Sequence, residues 1–458
     1  MNVAATLLIT KAAAQLSRLT GRGRGHALPG LVAEHLDPDL AKKLAAGLAG
    51  GVVLVTGTNG KTTTTKFARA MLEAGGERVL TNSTGSNLKR GVTSALIAAS
   101  DWRGRVLPYT MALFEVDEAS LPAVAEALQP RAIVVLNLFR DQLDRYGELD
   151  TTASMLGQGI VRTDARLFLN ADDPLVASLA RYAVDPASVS FFGIEAVPAG
   201  KLATDTVADS DRCPICHDRL DYSRVIYSHI GHYRCPRGHF SRPHPGVVVT
   251  GVRSSGRAEG TEFTLAIDSR RFEASIPLPG TYNLYNAIAA VALAHGLGLD
   301  DRKIVETLTT VSAAFGRVEA IEYKGRRIYL LLIKNPAGFS QILETFLTGQ
   351  SEPEVMFAIN DLAADGRDVS WLWDVPVEAL VQWRPESICS GIRAYDMALR
   401  LHYGGMESEV VPDLEAALHK LIERTPEGGT AYILPTYTAM LAIRKLLSNL
   451  TQIPEIES

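Results

Sequence analysis

The run Val52-Val53-Leu54-Val55-Thr56-Gly57-Thr58-Asn59-Gly60-Lys61-Thr62-Thr63 restricts the fold more than any other segment of this chain. Strand-favouring residues feed a turn that carries two glycines, and a helix can begin at once at the Lys-Thr-Thr. Such a junction aims backbone N–H groups and the positive end of a helix at an anion. Lys61 is then placed to reach the terminal phosphates of a nucleotide, and the Thr62 hydroxyl to ligate Mg²⁺. The strict eight-residue phosphate-loop pattern is not met, because Val55 stands where its first glycine would be. Gly57 and Gly60 make a shorter loop, within which Thr58, Asn59 and Thr63 complete the candidate phosphate contacts.

The surroundings repeat the strand-then-helix alternation. Val52–Thr56, Met111–Val116, Ala132–Leu138 and Arg166–Leu169 read as strands, with helices over Lys61–Glu73 and Leu121–Leu128. This rhythm predicts crossover connections and a parallel sheet covered on both faces. Ligands of such sheets bind beyond the carboxyl ends of the strands, where Glu115, Asn137 and Asn170 stand. Glu115, after the apolar Met111-Ala112-Leu113-Phe114, is where a magnesium ligand belongs. A second alternation runs from about 320 to 450. Its strands are expected at Ile328–Ile333, Val355–Ile359, Ser387–Cys389 and Ala431–Leu434, its helices at Val377–Trp383, Tyr395–His402, Leu414–Glu423 and Thr438–Leu447.

At 458 residues the chain exceeds one ordinary core. The expected division is a helical segment over 1–48, a nucleotide-binding unit over 49–315 and a second α/β unit over 316–458. A formal charge of −5 offers no basic stripe for nucleic acid. No window holds the roughly 18 apolar residues a membrane span needs. The first 24 residues read as a packed or interfacial helix and not as a signal peptide, since Lys11 interrupts the apolar stretch and no cleavage site follows.

Residues of about 205–245 break the alternation. They hold Cys213, Cys216 and Cys235, while Cys389 stands alone in a strand-like run and reads as a packed core thiol. Cys213-Pro214-Ile215-Cys216 and Cys235-Pro236-Arg237-Gly238-His239 are two knuckles 18 residues apart, a spacing that suits a structural zinc ribbon.

With these segments in view, the chain resembles the Mur ligase superfamily, the peptidoglycan and folate polyglutamate ligases. The resemblance rests on Thr56–Thr63, Glu115, Asn137-Leu138-Phe139-Arg140-Asp141-Gln142-Leu143-Asp144, Leu169-Asn170-Ala171-Asp172-Asp173-Pro174, Gly280-Thr281-Tyr282-Asn283-Leu284-Tyr285-Asn286-Ala287 and Phe315-Gly316-Arg317-Val318-Glu319, in the family's order. It implies an α/β protein with a central phosphate-loop domain and a C-terminal Rossmann-like domain. It further implies that ATP activates a carboxylate as an acyl phosphate, with Asn283 near the adenine and Arg317 reaching the phosphates. Three features depart from the common pattern. Gln142 replaces a usual histidine, no lysine between Gln142 and Asn170 can supply the carbamylated residue of many members, and no UDP-precursor domain precedes the loop.

The departures, the cysteine insertion, Ile333-Lys334-Asn335-Pro336-Ala337-Gly338 and Asp365–Asp374 are similar to one branch. Its members are the synthetase subunits of lipid II isoglutaminyl synthase, which amidates the D-glutamate α-carboxylate of the lipid II stem peptide. That resemblance implies a GatD-like glutaminase partner that supplies ammonia, and work at the cytoplasmic face of the membrane. It also implies an aspartate lent to the partner's Cys–His pair. Asp368 is the expected donor, with Asp361, Asp365 and Asp374 as rivals. The branch usually has a second Cys-x-x-Cys pair, whose last thiolate would fall at Gly238. Here His239 is the expected fourth zinc ligand, with His217, His229, His232 and His244 as rivals. Two other readings remain: a free-standing ligase that adds an amino acid, and a zinc-ribbon nucleic-acid binder. Leu331 and Lys334 argue against the first, since amino-acid-adding members tend to carry aspartate and histidine there.

Overall fold

A computed structural model of the chain describes residues 3–19, 28–82, 86–140, 149–196, 210–254, 260–311, 318–347, 353–380 and 386–453. Helices Val3–Leu19, Leu28–Leu36 and Leu40–Ala45 precede the first strand. The strands of the central region are β1 (Val52–Thr56), β2 (Val79–Leu80), β3 (Met111–Glu115), β4 (Ala132–Val135), β5 (Arg166–Asn170) and β6 (Val189–Ile194). They continue through β7 (Asp221–Tyr227), β8 (Ile230–Arg234), β9 (Val247–Ser254), β10 (Thr261–Ile267) and β11 (Arg270–Ile276). Among the described residues, nine of these strands form one sheet in the order β11-β10-β9-β6-β5-β4-β1-β3-β2, while β7 and β8 pair only with each other. From β2 to β9 the pairing is parallel, and β9-β10-β11 is an antiparallel edge.

The strand β1 is buried along its whole length. Its alternation splits two cores: Val53 and Val55 face helices Lys61–Ala74 and Thr281–Gly296, whereas Val52 and Leu54 face Leu7, Leu40, Leu44 and Leu121. Fully burying each such side chain contributes about 1.5–3 kcal/mol, so covering both faces fixes the register firmly. The strands β3 and β2 lie on one side of β1, and β4, β5 and β6 on the other. That reversal opens a crevice at the carboxyl end of β1, where the glycine turn sits.

The second sheet comprises β12 (Val318–Tyr323), β13 (Arg326–Leu331), β14 (Glu354–Ala358), β15 (Ser387–Ser390), β16 (Ser408–Val410) and β17 (Thr430–Pro435), in the order β12-β13-β17-β14-β15-β16. It is parallel except for the β12–β13 hairpin, which turns at Lys324 and Gly325, both with positive φ.

Several expected elements differ. The strand expected over Ala132–Leu138 ends at Val135, because the backbone then turns to serve the phosphate loop: Thr58 N donates to Asn137 O at 2.9 Å. The stretch Glu262–Ile276, where the sequence alternation resumes only weakly, is a hairpin of two antiparallel strands turning at Asp268. At the expected helix Val377–Trp383 the described part is a short 3-10 turn, Val377–Leu380. The strands β2, β6, β7, β8, β9, β12 and β16 lie outside the expected alternation. Residues 141–148 and 312–317, and with them Gln142, Arg317 and the expected division at 315/316, lie outside the described residues.

Candidate active site

Gly57 and Gly60 carry φ of +126° and +92°, backbone that side chains strain to adopt. A Cβ on Gly60 would also lie 1.9 Å from Asn286 Oδ1, so space and conformation both demand glycine there. The helix Lys61–Ala74 starts immediately after, which leaves its first N–H groups aimed into the crevice. Asn137 clamps the loop from the neighbouring strand: its Oδ1 accepts from Asn59 N at 2.8 Å, and its Nδ2 donates to Asn59 O at 3.0 Å.

Lys61 is buried and donates to the carbonyl oxygens of Gly57 and Thr58, with Glu118 Oε2 3.3 Å from its Nζ. Burial pushes the Glu118 carboxyl up, but the Lys61 and Lys334 charges and the hydrogen bonds it accepts together hold it below the ordinary glutamate value. Thr62 Oγ1 donates to Glu115 Oε2 at 2.9 Å. Asn82 grips the Glu115 backbone on both sides, accepting from its N at 2.9 Å and donating to its O at 3.0 Å. A hydroxyl and a carboxylate held this close beside a phosphate loop are the oxygen donors magnesium uses alongside phosphate and water, so the donor chemistry fits that ion.

The C-terminal unit reaches over the loop. Lys334 Nζ donates to Thr58 O at 3.4 Å, and Asn335 Nδ2 to Asn59 Oδ1 at 3.1 Å. Between the units lies an open cleft, walled by Asn59, Gly60, Phe139, Tyr227, Asn283 and Asn286 on one side and by Leu332 and Ile342 on the other. Gly57 to Thr63, Glu115 and Asn283 are therefore brought together around the crevice. Glu118, Asn82 and Tyr227 were missed. Glu118 follows Glu115 by only three residues, and Asn82 stands just past β2, so strand-end position was the available signal for both. Tyr227 carried none.

In the insertion, the sulfurs of Cys213, Cys216 and Cys235 lie within 4.8 Å of one another, with Cys216 and Cys235 3.5 Å apart. A tetrahedral zinc–thiolate site with bonds of about 2.3 Å has sulfurs about 3.8 Å apart, so the three thiols fit the ion. Burial alone would raise the Cys235 thiol, but backbone N–H groups of His239 and Arg237 facing it hold it below the ordinary thiol value. The exposed His239 side chain is not among the groups that cluster there, nor are His217, His229, His232 and His244. His229 instead is buried against Asp173 Oδ2 at 3.4 Å, and His232 Nε2 lies 2.7 Å from Ile194 O. Cys389 is fully buried in β15, and burial pushes its pKa up to about 12, as suits a packed core thiol.

Asp368 stands apart from this crevice. Its Oδ1 accepts from Ser370 N at 2.8 Å on a loop beyond β14. Of its rivals, Asp361 is paired with Arg393 at 2.8 Å and Asp365 is buried, accepting from Thr438 N at 2.7 Å.

A strand-to-helix phosphate loop, the carboxylates of Glu115 and Glu118 beside it and a second α/β unit closing over it define an ATP-dependent ligase of the Mur superfamily. Residues 55–220 match the Mur ligase middle domain, and residues 332–440 match the MurT ligase C-terminal family. The chain is 34% identical over 461 residues to the lipid II isoglutaminyl synthase (glutamine-hydrolyzing) subunit MurT of Streptococcus pneumoniae, covering 98% of each. It belongs to the MurT family. In fold it resembles a pseudomurein peptide ligase type C from Methanothermus fervidus, with TM-score 0.68 at 23% identity over 87% of this chain and 79% of that one. It also resembles the MurF ligase of Thermotoga maritima in complex with ADP, with TM-score 0.62 at 15% identity over 90% and 83%. Among the described residues no helix is long and apolar enough to cross a membrane.

Proposed function

We propose that this chain amidates the D-glutamate α-carboxylate of the lipid II stem peptide, using ATP and ammonia delivered by a GatD-like glutaminase. The observation that carries the reading is the phosphate loop of a MurT-family chain, closed over by Lys334 and Asn335 of the C-terminal unit. A carboxylate is a poor electrophile until an oxygen carries phosphate. The γ-phosphoryl group passes from ATP to that oxygen and ADP leaves. Ammonia then adds to the acyl carbon, the C–O bond breaks with its electron pair on phosphate, and a proton is lost. Catalysis here is positioning and charge neutralisation. The loop N–H groups and Lys61 hold the phosphates, and Arg317 is assigned to the same phosphates. Asn283 is assigned to the adenine. Glu118 holds the Lys61 side chain in place, while Thr62 and Glu115 would hold Mg²⁺. When bound, that ion neutralises charge on the transferring phosphoryl group.

For the insertion, Cys213, Cys216 and Cys235 are the proposed zinc ligands, with the exposed His239 as fourth donor once its side chain turns inward. Four protein ligands leave no open position, so the role is structural.

For the partner, Asp368 is the proposed third member of a Cys–His–Asp set, fixing the imidazole's tautomer as carboxylates do in other triads. An apolar surface beside it supports docking there. Tyr395, Leu399 and Tyr403 lie on one exposed face of helix Ala394–Tyr403, next to exposed Trp373, whose ring is 5.6 Å from that of Tyr403. Contiguous exposed aromatics of this kind mark interaction sites. Such a complex would work in the cytoplasm, at the membrane face that presents lipid II.

The deciding experiment supplies the purified chain with ATP, a lipid-linked stem peptide and either ammonium or glutamine. Mass spectrometry should find amide with ammonium alone, and with glutamine only when the glutaminase is present. Glutamine-dependent product from this chain alone, or no product under any condition, overturns the assignment.

A further inference from the structure

The cysteine insertion is not confined to its own knuckles. Its hairpin β7–β8 ends at Tyr227, and Tyr227 forms part of the wall of the cleft beside Gly60 and Asn283. The ring is set there by two neighbours from the central unit: Phe139 stacks on it at 5.8 Å, and Tyr285 meets it edge-on at 5.9 Å. Both lead back to the phosphate loop. Phe139 N donates to Thr58 Oγ1 at 3.0 Å, and Tyr285 shares helix Thr281–Gly296 with Asn283 and Asn286.

A two-stranded hairpin on its own is marginal in water, and among the described residues β7 and β8 pair with no other strand. It therefore depends on anchors at its ends. At one end Cys235 directly follows β8 and joins Cys213 and Cys216. Along its length Gly231 N donates to Asp172 O at 2.8 Å, and Tyr233 OH donates to Ala171 O at 2.9 Å. Buried His229, one residue past the turn from Ser228, tilts against Phe139 at 5.0 Å. Thiol cluster, hairpin and Tyr227 form one continuous piece of structure.

We propose that this hairpin supplies a wall of the nucleotide cleft through Tyr227, so that an ordered thiol cluster strengthens ATP binding. Tyr227 is a positioning residue for the nucleoside half of ATP, and the insertion acts on the ligase site from within the same chain. The inference rests on the proposed ATP-dependent function.

The test measures the affinity of the full-length chain for a non-hydrolysable ATP analogue with Mg²⁺ by titration calorimetry. Tyr227→Ala should weaken binding about tenfold, the loss of one well-packed aromatic contact, and Tyr227→Phe should stay within about twofold of wild type. In steady state the alanine variant should raise KM for ATP while leaving kcat unchanged. Cys213→Ser with Cys216→Ser should weaken binding in the same direction, and adding Tyr227→Ala to it should cost less than Tyr227→Ala does alone. Should the thiol variant fail to fold, Tyr227→Leu provides a volume-filling control that should still bind more weakly than Tyr227→Phe. Wild-type affinity in folded Tyr227→Ala overturns the inference while leaving the ligase assignment standing. No binding by the wild type overturns both.

Discussion

Glu118 in the central unit and Asp368 in the C-terminal unit are both carboxylates on loops beyond a parallel strand, yet their surroundings are opposite. Glu118 is buried against Lys61, and its carboxyl is held below the usual range. It stays ionised across the neutral range. The stability it lends is full above the ordinary glutamate pKa and fades only as pH falls through its depressed folded value. Asp368 sits half-exposed on a loop, holding one backbone N–H, close in sequence to the exposed Trp373. Phosphoryl transfer needs a dry, preorganised site that one chain can build alone. A carboxylate meant for a partner must remain reachable until that partner arrives.

The comparison can be broken from its buried side with the largest effect. Lys61→Ala should depress amidation from ammonium and from glutamine alike, by about 10³-fold or more, with the fold retained by circular dichroism. Turnover near wild type in that variant would mean the loop does not serve the reaction.

The exposed side should separate the nitrogen sources. Asp368→Asn should depress glutamine-dependent amidation by about 10²- to 10⁴-fold, the range for losing a triad carboxylate, and leave the ammonium reaction within a few-fold. Equal loss with both sources would assign Asp368 to the synthetase site or the fold.

Leu399→Glu places a charge in the exposed apolar face and should weaken binding of the glutaminase by about ten- to a hundredfold without altering the ammonium reaction. Unchanged affinity by titration would move the partner elsewhere.

The smallest effect concerns the metal. Purified chain should hold one zinc per chain, with the Cys213, Cys216 and Cys235 set required. His239→Ala should lower zinc affinity by about tenfold or more. Full zinc retention in that variant removes His239 from the ligand set.

Local sequence was informative wherever the chain itself is the neighbour. Gly57 to Thr63 form the loop because strand, glycine turn and helix follow one another within a few residues, so backbone conformation alone places the N–H groups. Cys213 and Cys216 declared themselves by spacing for the same reason. Val52 to Thr56 read as a strand because both faces are buried and every residue is apolar or β-branched.

What only the tertiary structure decided involves residues far apart in the chain. Glu118 pairs with Lys61 across 57 positions, Asn335 meets Asn59 across 276, and Tyr227 enters the cleft beside the phosphate loop from an insertion that looked self-contained. The early end of β4 belongs here too. A hydrophobic run through Leu138 satisfies strand propensity, but the Asn137 carbonyl instead accepts from Thr58 N in the phosphate loop, and the strand ends at Val135. Sequence by itself determined the elements and the phosphate loop, because those follow from local conformation and periodicity. Only the packed sheet decided which carboxylate would pair with Lys61 and which ring would line the cleft, because such partners are chosen by burial and charge across distances that no local pattern encodes.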